Sequence, residues 1–259
     1  MPIWQEGVDC MFFSEGKRPV VTVMLKALTK QNMIDEIKRA MSQGAEAFGF
    51  QAEVLDREFR SYDNLKEIFS YMEGKPIYYT DYRRGNKCPE LSDEALCDEL
   101  MTALRAGASL IDIPGDFFCP SQGEITTNID AVKKQKAFID EIHKMGGEVL
   151  MSSHVLKYIP KESVLAIARL HKERGADVSK IVTEANSAEE LQENMEASLL
   201  LERKLGLKHL FLCNGTMCKL HRKIGPFLGS SMCLVTEDNA DIQSQPRISE
   251  IKSILNIIE

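Results

Sequence analysis

An alternation limits what this chain can become more than anything else in it. Eight short apolar runs, near residues 19–25, 47–55, 76–80, 109–113, 148–153, 176–182, 209–213 and 231–235, are separated by eight segments with helical spacing. Apolar runs without a polar face suit strands buried on both sides. Between them, Met33, Ile34, Ile37 and Met41 mark a helix closed by Gly44, with Thr29 or Asn32 as its cap. A later helix starts at Thr127 or Asn128, and another is expected over about residues 218–228. Strands alternating with helices build a parallel sheet with helical crossovers. Eight of each in 259 residues predict an α/β chain closed as a (β/α)8 TIM barrel, one domain over residues 1–259. An open, doubly wound sheet fits less well, because no glycine-rich dinucleotide fingerprint follows the first strand. Trp4, Phe12 and Phe13, set around Gly7 and Gly16, predict an N-terminal β-hairpin over residues 1–18 that plugs one end of the barrel.

Composition removes several function classes. The net charge is −7 with both signs mixed along the chain, so no basic stripe offers itself to nucleic acid. No apolar stretch is long enough for a bilayer, and the N-terminus lacks a basic flank before an apolar region. A cytoplasmic protein with neither membrane nor nucleic-acid partner is expected. Seven cysteines, none in a CxxC pair, indicate neither a zinc ribbon nor a disulfide framework. His143, His171, His209 and His221 form no recognisable ligand set with nearby acids, so no metal is expected.

The chemistry concentrates between Glu148 and Val182. This stretch reads as strand, helix, strand, with His154 at the end of the first strand and Lys180 between Val178 and Val182 in the second. An ammonium group in an apolar strand loses hydration, so it must pair, reach water or shed its proton. The deprotonated amine is what a Schiff-base lysine needs: it attacks a ketone, and the resulting iminium draws electrons from the neighbouring carbon. A histidine one βα unit away is placed to remove that carbon's proton. Barrel active sites lie at the C-terminal ends of the strands, which puts both residues in one pocket.

Four places resemble the type I 3-dehydroquinate dehydratase family: Met151-Ser-Ser-His154, Ser179-Lys180-Ile-Val182, Arg222 within residues 221–230, and Gln245-Pro-Arg-Ile-Ser249. Their order and separations fit nearly the whole chain. The resemblance implies a cofactor-free (β/α)8 hydro-lyase of the shikimate pathway, converting 3-dehydroquinate to 3-dehydroshikimate, with a homodimer as one expected assembly. It makes Lys180 the imine lysine, His154 the general acid/base and Arg222 the clamp for the substrate carboxylate, a task suited to a planar bidentate donor. Thr216, Lys219 and the Gly215 backbone are weaker candidates for the same anion site.

The departures fall on substrate recognition. The family's second strand carries a Glu-x-Arg-x-Asp pattern, where this chain has Gln51-Ala-Glu53-Val-Leu55. Gln51 and Glu53 thereby become candidate substrate contacts of altered charge, with Glu53 free to accept bonds from hydroxyls or to pair with Arg83 or Arg84. A Thr-x-Arg segment after the third strand corresponds to Thr80-Asp81-Tyr82-Arg83, making Arg83 a candidate after a small shift. The family's histidine-orienting glutamate has no direct match; Asp116, behind the inserted Pro114-Gly115, is the catalytic candidate for that role. Gln243, Ser244 and Gln245 are the candidates for the loop that closes over the substrate. The leading expectation is imine-based dehydration of 3-dehydroquinate or a related cyclic hydroxy-keto acid. A class I aldolase or dehydratase for another oxo acid, and an inactive relative that binds a shikimate-like metabolite, are the alternatives.

Overall fold

The computed structural model describes residues 12–13, 18–83, 91–240 and 244–258. Its eight strands are β1 (Val20–Leu25), β2 (Ala47–Gln51), β3 (Ile77–Thr80), β4 (Leu110–Pro114), β5 (Glu148–His154), β6 (Val178–Glu184), β7 (Lys208–Asn214) and β8 (Met232–Val235). All pair in parallel in the order β8-β1-β2-β3-β4-β5-β6-β7. At the remaining seam the Ser231 N–H donates to the His209 carbonyl at 2.8 Å, and the His209 N–H donates to Ser231 Oγ at 3.2 Å. The sheet is a (β/α)8 TIM barrel, as the alternation predicts.

The helices are α1 (Lys30–Ser42), α2 (Tyr62–Ser70), α3 (Asp93–Ala106), α4 (Ile129–Lys144), α5 (Lys161–Arg174), α6 (Ala188–Lys204), α7 (Cys218–Ile224) and α8 (Ile248–Ile258). Thr29, Ser61, Ser92, Asn128 and Ser187 each accept a backbone N–H in the first turn, satisfying donors that the helix leaves without partners. Two expected boundaries shift. The helix expected to reach residue 228 ends at Ile224 and tightens into a 3-10 turn over Gly225–Leu228, because Pro226 has no N–H to continue the ladder. The strand expected to reach residue 55 ends at Gln51, where the Val54 N–H turns back onto the Gln51 carbonyl. Glu53 therefore sits in a turn at the mouth of the barrel. Among the described residues no helix is long and apolar enough to cross a membrane.

Period-two alternation sorts the strands' side chains into two layers. Met24, Ala47, Tyr78, Leu110, Leu150, Val178, Leu210 and Met232 meet inside the barrel, while Val23, Phe48, Phe50, Ile111, Val149 and Met151 pack outward against helices. Phe12 and Phe13 join the interior cluster at its floor. The Phe12 N–H donates to the Glu148 carboxylate at 2.7 Å, and the Lys208 ammonium lies 4.5 Å from the Phe13 ring centre. Most of the expected N-terminal hairpin lies outside the described residues.

Gly49 makes room within this layer. A Cβ there would stand 2.1 Å from Met24 Sδ. Gly49→Val is expected to lower stability by about 1–3 kcal/mol through overpacking. Combined with Met24→Ala, it is expected to lose less than the sum of the two single changes, since they share one volume. Urea unfolding of the three variants measures both effects.

Candidate active site

Lys180 faces the barrel interior because Val178 and Val182, two residues to either side, do. Its side chain is almost wholly buried and it takes the first of the fates open to such a lysine: it pairs. Nζ lies 3.3 Å from Asp112 Oδ2, 2.9 Å from Tyr78 Oη and 2.5 Å from Tyr82 Oη. Both phenols also donate to Asp112 Oδ2. Asp112 Oδ1 accepts from Ser152 Oγ at 2.5 Å. Burial and the Asp112 charge push both phenols well above the usual tyrosine value, so they remain protonated donors.

His154 ends β5 on the same face as Ser152. Its Nδ1 lies 2.6 Å from Glu124 Oε2, and its backbone N–H donates to the same oxygen at 3.2 Å. A proton held on Nδ1 by the carboxylate leaves Nε2 with the lone pair of a base. Burial pulls His154 below the usual histidine value; the hydrogen bond from Glu124 opposes that fall and the charge of Lys180 adds to it. The Tyr82 ring meets the imidazole edge to face, 5.1 Å between centres. A cleft of about 570 Å³ opens here, lined among others by Tyr82, Arg83, Asp116, Glu124, His154 and Leu156.

Glu124 arrives on the loop after β4, with a left-handed backbone (φ 54°) that a non-glycine residue holds only under constraint. The constraint comes from α5. Arg174 donates to the Gly115 carbonyl at 2.6 Å and to the Thr126 carbonyl at 2.5 Å, fastening both ends of the loop. Ser153 Oγ donates to the Glu124 carbonyl at 2.8 Å and touches His171 Nε2 at 3.0 Å, while His171 Nδ1 meets Ser179 Oγ at 2.9 Å. A side chain at Gly115 would strike the Glu124 carbonyl at 2.6 Å, so the loop closes only over a glycine.

The remaining candidates divide. The orienting contact expected from Asp116 is made by Glu124 instead. Pro114-Gly115 turns the chain so that Asp116 caps its own loop, accepting the Ser121 N–H at 2.6 Å and pairing with Arg83. Arg83 also pairs with Asp93 at 3.3 Å, so both of its described ion-pair partners are carboxylates within the fold. Glu53 is buried and does not pair with Arg83; Arg84 lies outside the described residues. It accepts from Gln51 Nε2 at 3.2 Å and Thr80 Oγ1 at 2.9 Å, and burial raises its carboxyl above the usual range. Arg222 on α7 is buried over the end of β7, donating to the Cys213 carbonyl at 2.9 Å and Asn214 Oδ1 at 2.8 Å. Among the described residues no carboxylate pairs with it. Thr216 Oγ1 turns onto the Asn186 carbonyl. Gln245 keeps a buried Oε1 without a hydrogen-bond partner among the described residues, and Gln243 lies outside them.

The family model for type I 3-dehydroquinase matches residues 21–259. The chain belongs to that family. A 3-dehydroquinate dehydratase of Klebsiella pneumoniae is 25% identical over 198 residues, covering 75% of this chain and 74% of the relative. One from Aromatoleum aromaticum is 22% identical over 252 residues, covering 94% and 92%. Among solved structures, a type I 3-dehydroquinate dehydratase from Clostridium difficile with covalently modified comenic acid superposes with a TM-score of 0.79 at 18% identity, covering 94% of this chain and 93% of that one. The last likeness is one of fold. For a type I 3-dehydroquinase, this chain surrounds its strand-six lysine with a pair of phenols that sequence reasoning did not single out. Asp112 carried the same signal as Lys180, a charge between Ile111 and Ile113 in an apolar strand. Tyr82 and Glu124 come from irregular segments, where no periodicity points inward.

Two outcomes test this wiring. Glu124→Gln removes the interaction that holds the His154 proton, so the His154 titration midpoint, followed by NMR, should fall further below about 6.5. Burial, with Arg174 nearby, pushes His171 down to about 3 in the folded protein. The unfolded chain binds that proton from about pH 6.5 downward, so this residue's contribution to stability is present above 6.5 and lost as pH falls. His171→Gln should be less stable than wild type at pH 7, with the deficit shrinking by about 1.4 kcal/mol per pH unit between about 6.5 and 3. Urea midpoints across that range give the slope.

Proposed function

We propose that this type I 3-dehydroquinase dehydrates 3-dehydroquinate to 3-dehydroshikimate through an imine on Lys180. The observation that carries the reading is the meeting, at one end of the barrel, of a desolvated lysine and a histidine oriented by a carboxylate. Lys180 Nζ attacks the ketone carbon, and the carbinolamine loses water to leave an iminium. His154 Nε2 takes a proton from the carbon next to the iminium, giving an enamine, and returns it to the hydroxyl that departs as water. Hydrolysis of the conjugated iminium releases the product and restores the lysine. The iminium itself is the electron sink, so the scheme needs no cofactor.

Arg222 is the carboxylate clamp in this reading, supported by its buried guanidinium without a described acidic partner. Gln245, whose buried Oε1 has no partner among the described residues, and Gln243 serve the loop that closes over the substrate. Glu53, raised above the usual carboxylate range, and Gln51 face the ring hydroxyls as hydrogen-bonding groups. A second reading keeps the imine and changes the ligand to another hydroxylated oxo acid. It is favoured by Glu53 alone, an acid at the position where the family's pattern carries an arginine.

Intact-protein mass spectrometry after incubation with 3-dehydroquinate and borohydride tests the proposal. A reduced adduct mapped to Lys180 and absent from Lys180→Ala is the expected result, and an adduct elsewhere overturns it. His154→Ala should still form the adduct while turnover falls about 10²–10⁴-fold. Arg222→Ala should raise KM by about 10–150-fold, the loss of hydrogen bonds to a charged group. No adduct with 3-dehydroquinate, but one with a different oxo acid, selects the second reading.

A further inference from the structure

Imine chemistry through Lys180 and His154 leaves one buried group of donors unused. Tyr78 and Tyr82 both donate to Asp112 Oδ2 and both accept from Lys180 Nζ, with their own hydroxyls 3.4 Å apart. The two phenols differ in access. Tyr78 is fully buried within β3, whereas Tyr82 follows the strand, keeps 8% of its surface exposed and lines the cleft beside His154. A ketone entering from the cleft to reach Nζ must bring its oxygen past the Tyr82 hydroxyl, which already lies 2.5 Å from that nitrogen. The oxygen of the resulting carbinolamine is two bonds from Nζ, within reach of the same hydroxyl.

Forming an iminium from an ammonium and a ketone releases one water, whose two protons both come from the nitrogen. Something must take the first, and something must deliver a proton to the departing oxygen. His154, with its proton held on Nδ1 by Glu124, presents a lone pair at Nε2 and no proton for the departing oxygen. We propose that Tyr82 is the acid of imine formation, protonating the carbinolamine oxygen so that it leaves as water. This rests on the imine reading of Lys180. The ammonium gives its first proton to Asp112 Oδ2, 3.3 Å away, and the free amine attacks the carbonyl carbon. The second nitrogen proton passes to the new oxygen, making a hydroxyl. The Tyr82 proton then joins that hydroxyl, the C–O bond breaks with its electron pair leaving on water, and the nitrogen lone pair closes the C=N bond. Asp112 returns its stored proton to the Tyr82 phenolate across the hydrogen bond they share. No proton is gained or lost overall. The phenolate exists only beside the new iminium cation, which compensates for the high basicity that burial and Asp112 impose on it. Ser152 holds Asp112 Oδ1, which keeps Oδ2 turned toward the phenols and the amine.

The test is the time course of adduct formation. Wild type and Tyr82→Phe are mixed with 3-dehydroquinate, quenched with borohydride at intervals, and the Lys180 adduct is quantified by intact mass. Tyr82→Phe is expected to form the adduct about 10²-fold more slowly. With imine formation then limiting, the deuterium isotope effect on kcat, for substrate labelled at the carbon that loses its proton, should shrink toward unity. A defect confined to the positioning of His154, whose ring Tyr82 also touches, would slow the carbon-proton step and leave that isotope effect in place. Wild-type rates of trapping with an unchanged isotope effect would sink the proposal while leaving the imine standing, whereas no wild-type adduct with 3-dehydroquinate or with any other oxo acid removes the imine reading and this step with it. If Tyr82→Phe does not fold, 3-fluorotyrosine at position 82 preserves the shape and lowers the phenol's pKa. The alkaline limb of the trapping rate should then move to lower pH, and an unmoved limb overturns the assignment.

Discussion

Everything at the mouth of this barrel follows from one electrostatic requirement: a lysine held away from water must have its charge answered. An unpaired ammonium inside the protein would lose several kcal/mol of hydration. Asp112 supplies the counter-charge, and that creates a second problem, since a buried carboxylate needs its own lone pairs filled. Ser152, Tyr78 and Tyr82 fill them. Each of these residues comes from a different part of the sheet or its edge. The cluster exists only when β3, β4, β5 and β6 are in register, so closing the barrel and assembling the chemistry are one event.

The site separates into two hydrogen-bonded systems that meet at the Tyr82 ring. One is the Lys180, Asp112 and tyrosine cluster, rooted on the strands. The other is His154 with Glu124, whose carboxylate is carried by a loop. Their supports differ accordingly. Strand register fixes the first with ladder hydrogen bonds on both sides of Lys180, between Ser152 and Leu210. The second depends on α5, whose Arg174 holds the loop's backbone and whose His171 meets Ser153, the donor to the Glu124 carbonyl. A barrel with this arrangement can adjust its histidine without disturbing its lysine.

What could be read from the residues follows the same division. Lys180 and His154 announced themselves because strand periodicity says which way a side chain points, and a charge among valines is conspicuous. The barrel was legible for the same reason, since eight apolar runs with helices between them leave few alternatives. Asp112 obeyed the rule too, and was hidden only by its position in a strand read for its end and not its middle. Glu124 and Tyr82 could not be found that way. They lie in segments without a period, and their placement depends on partners elsewhere in the chain: Arg174, Ser153 and Gly115 for Glu124, and Asp112 and Lys180 for Tyr82. Asp116 stood as the displaced match for the family's histidine-orienting glutamate, but the turn imposed by Pro114-Gly115 commits it to Ser121 and Arg83.

The fastening of the loop after β4 has a consequence for how such a site changes over time. Arg174 grips backbone carbonyls at Gly115 and Thr126, and carbonyl oxygens are the same whatever side chains the residues carry. The two ends of the segment are therefore held by backbone, while Gly115, the Asp116 cap on Ser121 and the Ser153 bond to the Glu124 carbonyl close its interior. Side chains outside those contacts can be replaced while the anchorage persists, which makes the acid behind the histidine a portable part. A barrel built like this can exchange the partner of its base by swapping one cassette, keeping the lysine chemistry intact while the tuning of the proton transfer drifts.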